Sequence, residues 1–153
     1  MTEIRFRGTV PFPQAEVFTY FADARNWARF SPGVEEVGHV RGWGMPGGRC
    51  RLRLRVLRRR RTIDCEMVEV DPPRMFRYLA REEGQPTAVH DCRFAGVPGG
   101  TRVEIRARRD SRRGAAGLYD RLPVRWALAW TLRRSVGRLR SDLARRRRQS
   151  GDA

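Results

Sequence analysis

The chain has 153 residues, of which 40% are hydrophobic, and this length and composition suit one domain with an apolar core. Its 33 basic residues are all arginine and give a formal net charge of +16 at pH 7. The sequence contains neither an apolar run of about 18 residues nor a basic-then-apolar leader, so we expect no spanning helix and no secretory signal. The expected location is the cytoplasm, with peripheral attachment to a membrane as the alternative.

The N-terminal third predicts a strand, one or two short helices and a second strand. Apolar residues and arginines alternate in residues 3–10 (EIRFRGTV), which is the two-residue period of a strand with one solvated face. Val17, Phe18 and Phe21 then recur at helical spacing ahead of a Ser-Pro-Gly break, which indicates short helices. Residues 34–40 (VEEVGHV) predict a shorter strand.

The arginine-rich middle of the chain predicts a β-hairpin. Residues 49–56 alternate arginine with apolar residues, and a second strand follows a predicted turn at 58–61. In that second strand Asp64 and Glu66 share one face, and apolar residues occupy the other. In an antiparallel hairpin these acids can lie opposite the arginines, and each such pair contributes roughly 0.2–1 kcal/mol. We therefore interpret the arginine run as the solvated face of a sheet.

Three more strands and one long helix complete the predicted elements. The strands are residues 74–81, 88–97 and 101–108, and the sequence GVPGGT predicts a turn between the last two. From about Asp120 to Arg147 glycine and proline are nearly absent, which indicates a single helix. Its apolar stripe, which must pack on the sheet, consists of Leu128, Leu132, Val136, Leu139 and Leu143. We assign residues 1–147 to one domain and 148–153 to a disordered basic and polar tail.

Neither the cysteines nor the acidic residues predict a metal site. Cys50, Cys65 and Cys92 are odd in number, far apart and in apolar-alternating segments, which favours buried reduced thiols. Four acids lie within eight residues, and they are Asp64, Glu66, Glu69 and Asp71. No histidine accompanies them, so we expect no bound metal, and no cofactor is indicated. The stretch GWGMPG matches G-x-G-x-x-G, but a strand follows it, so we expect a flexible flap rather than a dinucleotide site.

Three stretches in their order along the chain resemble a known superfamily. They are VPFPQAEVFTYFADARNWARFSPGVEEV, EVDPPRMFRY and GVPGGTRVEI, followed by the amphipathic helix. The chain resembles the START-like, Bet v 1-like (SRPBCC) superfamily, in particular its bacterial polyketide cyclase/dehydrase branch. The resemblance implies an α+β helix-grip fold: a curved seven-stranded antiparallel sheet around a long C-terminal helix, with two short helices after strand 1. Between sheet and helix it implies a cavity for a hydrophobic ligand.

The implied cavity directs attention to one histidine and one tyrosine. If Phe94 points inward, His90 on the same strand face does so too, and a cavity histidine is a natural proton shuttle for aldol cyclisation or dehydration. Tyr78 is the candidate that would present a phenol to a substrate carbonyl. A structural histidine, a slipped register and a capped core tyrosine are the alternatives. The predicted cavity residues are Trp27, Phe30, Cys65, Met67, Tyr78, His90, Cys92, Phe94 and Leu128.

The long helix carries two tryptophans away from its leucine stripe. Trp126 and Trp130 are four residues apart and lie beside Arg133. They are either covered by the short helices or flap, or placed at the cavity entrance, or they contact an anionic membrane or a second copy of the chain in a homodimer. Specific nucleic-acid binding is not expected, because aromatic residues do not interleave with arginine on a strand face.

Two functional hypotheses follow from the resemblance and the residues. The chain binds a hydrophobic or aromatic molecule, polyketide- or lipid-like, and either catalyses its cyclisation or dehydration or carries or senses it without chemistry. An enzyme needs a general acid or base in the cavity, for which His90 is the candidate. A carrier or sensor needs only shape and an apolar lining.

Overall fold

The computed structural model describes the backbone of residues 2–30, 33–56, 58–109 and 122–151, and the side chains of these residues except at 2, 30, 56 and 122–136. The predicted order of elements is confirmed. The elements are β1 (Thr2–Val10), α1 (Gln14–Ala22), a 3₁₀ turn (Ala24–Asn26), α2 (Trp27–Phe30), β2 (Val34–Arg41), β3 (Arg49–Val56), β4 (Arg59–Asp71), β5 (Met75–Arg81), β6 (Ala88–Val97), β7 (Gly100–Arg109) and α3 (Leu122–Gly151).

The strands form one seven-stranded antiparallel sheet in the order β1-β7-β6-β5-β4-β3-β2. Pairing of β1 with β7 brings the first strand beside the last, and α3 follows β7. Leu139 and Leu143 of α3 are buried in the same apolar core as the inward residues of the sheet. This arrangement is the α+β helix-grip fold that the sequence resemblance implied.

One face of the sheet, which we call the inner face, is apolar and covered by the helices. On β6 the alternation places Cys92 and Phe94 inward, and on β7 it places Val103 inward, all nearly without accessible surface. Burying such side chains contributes roughly 1.5–3 kcal/mol each. Phe18 and Phe21 of α1 pack on Phe94 with ring centroids 5.3 and 5.5 Å away. The three cysteines are buried and free, as predicted.

The opposite, solvated face carries the arginines, and all four of those on β3 pair with acids of neighbouring strands. The hairpin register places Asp64 opposite Arg51 and Glu66 opposite Arg49. The ion pairs across β2, β3 and β4 are Arg49–Glu66 (3.7 Å), Arg51–Asp64 (2.8 Å), Arg53–Glu36 (3.2 Å) and Arg55–Glu35 (3.3 Å). The interpretation of the arginine run as a solvated sheet face is therefore confirmed.

Two predicted boundaries differ from the structure. The turn expected at 58–61 is shorter, because β4 already begins at Arg59 and Arg58 adopts a left-handed φ of 65°. A tight hairpin with positive φ matches the twist of the flanking strands, which explains the early start of β4. Helix α3 continues through Gly151 instead of ending near Arg147, and the Ser150 hydroxyl donates to carbonyls one turn earlier.

Candidate functional site

Trp27 is fixed by the chain reversal between α1 and α2. The Asp23 carboxylate accepts a hydrogen bond from the backbone N–H of Arg25 (3.1 Å) and so caps the 3₁₀ turn. The indole N–H of Trp27 then donates to the carbonyl of Phe21 (2.8 Å), and the ring is only 6% exposed. This predicted cavity residue is therefore held rigidly at the inner face.

Trp43 brings the loop between β2 and β3 onto Trp27. Its indole N–H donates to the Ala22 carbonyl (2.8 Å), and the two tryptophan rings meet edge to face with centroids 5.4 Å apart. The loop reverses tightly: a Cβ at Gly48 would lie 2.2 Å from the Gly42 carbonyl oxygen, so only glycine fits there. We predicted this loop as a flap beside the cavity, but we did not predict Trp43 as a site residue.

Tyr78 and His90 face each other across β5 and β6. They are direct cross-strand partners, their ring planes are 10° apart, and their centroids are 4.7 Å apart. The Tyr78 ring also lies 5.2 Å from Trp27 and 5.8 Å from Trp43. We call these four residues the aromatic row. Tyr78 and His90 are half-buried, and within the described part of the chain neither the Tyr78 hydroxyl nor the His90 imidazole has a hydrogen-bond partner.

Burial keeps both polar rings of the aromatic row neutral. The pKa of His90 is lowered to about 4, mainly by burial. The Asp91 carboxylate has a smaller raising effect on this pKa, and the Arg109 guanidinium a smaller lowering effect. Burial also raises the pKa of Tyr78 well above its ordinary value. At pH 7 the row therefore presents a phenol that donates a hydrogen bond and a neutral imidazole that donates one and accepts one.

Four other predicted cavity residues lie in the packed core. Their side chains have almost no accessible surface, so they belong to the packed core beside the row and do not line open space. They are Cys65, Met67, Cys92 and Phe94. Phe76 connects this core to the aromatic row, because its ring stacks on Phe94 (5.9 Å) and on Tyr78 (6.2 Å).

The remaining predicted contact residues cannot be placed against this row. The side chains of Phe30 and Leu128, predicted for the cavity, lie outside the described residues, as do those of Trp126, Trp130 and Arg133, predicted for a membrane or partner contact.

Arg109 is a neighbour of the row that our sequence analysis missed. It is the last residue of β7 and is half-buried. It lies an even number of residues from the inward Val103, so strand alternation places it on the same face of the sheet. Its register partner on β6 is Ala88, two residues from His90. In β7 the residues Val103, Ile105 and Ala107 share the inner face, and the same alternation reaches Arg109 one residue beyond the strand predicted at 101–108.

Two grooves flank α3 on the outside of the molecule. The larger, of about 790 Å³, lies between α2 and α3 and is lined by Arg29, Gly137, Arg138, Ser141, Asp142 and Arg145. Neither groove contains a residue of the aromatic row. Among the residues with described positions, no three histidine, cysteine or acidic side chains are grouped to hold a metal ion. Within the same part of the chain, no helix is long and apolar enough to span a bilayer.

Solved structures share this fold at low sequence identity. The Zhui aromatase/cyclase from Streptomyces sp. R1128 is 18% identical, with a TM-score of 0.78 over 98% of both chains. Protein TTHA0849 from Thermus thermophilus is 17% identical, with a TM-score of 0.76 over 94% of this chain and 97% of that one. Ara h 8.0201 is 13% identical, with a TM-score of 0.71 over 94% of this chain and 97% of that one.

The TM-scores establish a common fold, and the low sequence identities leave the activity open. No curated protein matches the chain significantly by sequence. The model of one family, described as polyketide cyclase / dehydrase and lipid transport, matches residues 1–144. The chain therefore belongs to the polyketide cyclase / dehydrase and lipid transport family, within the START-like, Bet v 1-like superfamily that its sequence resembles.

Proposed function

We propose that the chain binds a hydrophobic or aromatic small molecule, polyketide- or lipid-like, against the aromatic row. The observation that carries this proposal is the Tyr78–His90 pair, two polar rings set among aromatic side chains with no hydrogen-bond partner in the described residues. Both rings are half-buried, so their polar atoms lose part of their hydration without compensation, and the penalty approaches about 1–3 kcal/mol only for a fully desolvated group. A ligand carbonyl or hydroxyl at the pair would provide that partner, and the tryptophan rings would cover its apolar body.

In the enzymatic form of this proposal, the pair acts on a ligand with several carbonyl groups. The Tyr78 hydroxyl donates a hydrogen bond to a carbonyl oxygen, and neutral His90 accepts a proton from the carbon between two carbonyls. The enolate carbon attacks a second carbonyl carbon to form the ring bond, and the imidazolium returns its proton to the new alkoxide. Loss of that hydroxyl with a neighbouring hydrogen as water is the dehydration.

The second candidate is a carrier or sensor that performs no chemistry. It is favoured by the low basicity of His90, because a base with a pKa of about 4 accepts a proton at pH 7 far less readily than one tuned near neutrality. Turnover separates the two roles. In an enzyme, His90→Ala reduces kcat by roughly 10²- to 10⁴-fold with ligand affinity within a few-fold. In a carrier, the same variant changes affinity modestly and there is no turnover to lose.

We also propose that a carrier would meet anionic membrane through α3. Four exposed arginines in its C-terminal half have no ion-pair partner among the described residues: Arg138, Arg140, Arg145 and Arg148. The arginines of β3, by contrast, are paired with acids. Exposed arginines that have no ion-pair partner among the described residues attract anionic lipid at about 1 kcal/mol each. Trp126, Trp130 and Arg133 stay predicted contacts of the same helix.

Binding at the row can be tested with the two histidines of the chain. Native mass spectrometry of freshly purified protein should reveal a co-purified hydrophobe. With 2-acetylnaphthalene as a neutral aromatic ketone probe, the NMR signals of the His90 ring should shift, while those of exposed His39 should not. Tyr78→Phe should weaken binding roughly 5-fold, since one hydrogen bond is lost. Binding that leaves the His90 signals unchanged would place the ligand elsewhere and overturn the proposal.

A further inference from the structure

We propose that Arg109 makes this site selective for ligands that carry a carboxylate on an aromatic body. The inference rests on the proposed function, because it requires that a ligand bind at the aromatic row. It adds a chemical class to the ligand and a residue that recognises that class.

Arg109 lies on the inner face, close to the polar end of the row. In the pairing of β6 with β7, His90 is opposite Ala107 and Ala88 is opposite Arg109. Arg109 is therefore the diagonal neighbour of His90 on the same face, and a long side chain spans the roughly 7–8 Å between such positions. The Arg109 charge contributes to lowering the pKa of His90, as expected for groups this close.

The neighbours of Arg109 on β7 show how unusual its environment is. Arg106 donates to Glu104 (2.6 Å), and Arg108 donates to the buried carboxylate of Asp91 (2.9 Å), both on the solvated face. Arg109 is half-buried, and no carboxylate of a described residue lies within ion-pair distance of it. A partly desolvated guanidinium without a counter-ion is unfavourable, so the inner face favours an anion at this position.

The four residues of the aromatic row cannot supply that anion. Tyr78 and His90 are both neutral at pH 7, because burial disfavours the phenolate of one and the imidazolium of the other. A carboxylate fits best, since the planar guanidinium binds its two oxygens with two parallel hydrogen bonds. The aromatic body of the same ligand would extend from Arg109 across His90 and Tyr78 toward Trp27 and Trp43.

The test compares 2-naphthoate with 2-naphthamide, which have the same ring system and nearly the same shape but differ in charge at neutral pH. Quenching of tryptophan fluorescence and calorimetry would give Kd for each probe. Wild type should bind naphthoate at least about 10-fold more tightly than naphthamide, as expected for a charge-assisted pair of hydrogen bonds. Arg109→Gln should weaken naphthoate binding at least about 10-fold and change naphthamide binding less than about 3-fold.

Arg106→Gln is the matched control, because it removes the same charge from the same strand on the solvated face. It should leave both affinities within about 2-fold. Equal binding of the two probes to wild type, or equal weakening of both by Arg109→Gln, would overturn the inference and leave the proposed function standing. If neither probe binds wild type, the proposed function fails and the inference fails with it. The wild-type comparison decides the question even if Arg109→Gln does not fold.

Discussion

The Tyr20 hydroxyl donates a hydrogen bond to the Asp142 carboxylate and so ties α1 to α3. The Arg146 guanidinium closes the same junction, because it lies 4.8 Å from the centroid of the Tyr20 ring and donates to the side-chain oxygen of Asn26 (3.1 Å). Burial, followed by the bond to Asp142, raises the pKa of Tyr20, so the neutral phenol is the form present in the folded protein. Asn26, which takes part in this junction, directly precedes Trp27 in the chain. The junction therefore also helps to position Trp27 in the aromatic row.

Tyr20→Phe tests the contribution of this junction to stability. The variant keeps the ring but leaves the Asp142 carboxylate without its hydroxyl donor, so the free energy of unfolding should fall by about 1–2 kcal/mol. Urea unfolding followed by circular dichroism would measure the change. Ser141→Ala is the control, because the exposed Ser141 hydroxyl donates only to the Gly137 carbonyl of its own helix. Equal changes in the free energy of unfolding for the two variants would show that the hydrogen bond between Tyr20 and Asp142 does not stabilise the fold.

The buried core and the solvated face of the sheet predict opposite tolerance to substitution. Leu139 is 1% exposed, and Leu139→Asp would place an unpaired carboxylate in the core, so we expect a loss of several kcal/mol or failure to fold. Arg53→Ser removes one exposed ion pair with Glu36 and should cost less than about 1 kcal/mol. Thermal unfolding of both variants tests the assignment. A destabilising Arg53→Ser with a tolerated Leu139→Asp would mean that the faces are reversed.

Much of the fold could be predicted because side-chain direction in a strand alternates with sequence parity wherever no β-bulge interrupts the strand. Leu52 and Leu54 face inward and Arg53 outward whatever the neighbouring strands do. The exact place of chain reversal could not be predicted, because it depends on the left-handed backbone of Arg58, and an arginine run does not mark one residue for that conformation.

The site could be predicted only in part, because its geometry depends on contacts between distant segments. The sequence indicated His90 for the cavity on the condition that Phe94 points inward, and Tyr78 as a further candidate, but their stacking requires the register of β5 against β6. Trp43 joins them because its loop hydrogen-bonds to the Ala22 carbonyl, an acceptor that no local pattern identifies. Arg109 was within reach of the sequence, since parity alone places it beside the inward residues of β7.

Anionic vesicles should distinguish the arginines of α3 from those of the sheet. Arg138→Ser/Arg145→Ser removes two exposed charges that have no ion-pair partner among the described residues, and it should weaken binding to phosphatidylserine-containing vesicles roughly 10-fold or more at low salt. Arg51→Ser/Arg53→Ser removes the same charge from ion-paired positions and should weaken it less than about 3-fold. Vesicle co-sedimentation measures both. Equal losses would assign any binding to net charge alone, against a role for α3.

Binding to DNA or RNA should depend on salt and not on sequence. The sheet arginines are mostly ion-paired, and exposed arginines on strands and turns meet phosphate rather than base edges. Affinity for a labelled duplex should therefore fall steeply between about 50 and 200 mM salt, and unrelated competitor duplexes should displace it equally. A strong preference for one sequence at physiological salt would contradict this expectation.

The half-buried imidazole of His90 should make the fold sensitive to mild acid. Its pKa is about 4 in the folded protein and 6.5 in the reference state, so between these values the unfolded chain binds a proton that the folded chain does not. The free energy of unfolding should therefore fall as pH decreases from about 6.5 to about 4, by roughly 2 kcal/mol for this partly exposed group. His90→Gln should flatten the dependence in that window, whereas His39→Gln, which changes an exposed ring, should keep it. Urea unfolding at pH 7, 5.5 and 4.5 measures the three slopes, and identical slopes for wild type and His90→Gln would show that His90 is not buried in its neutral form.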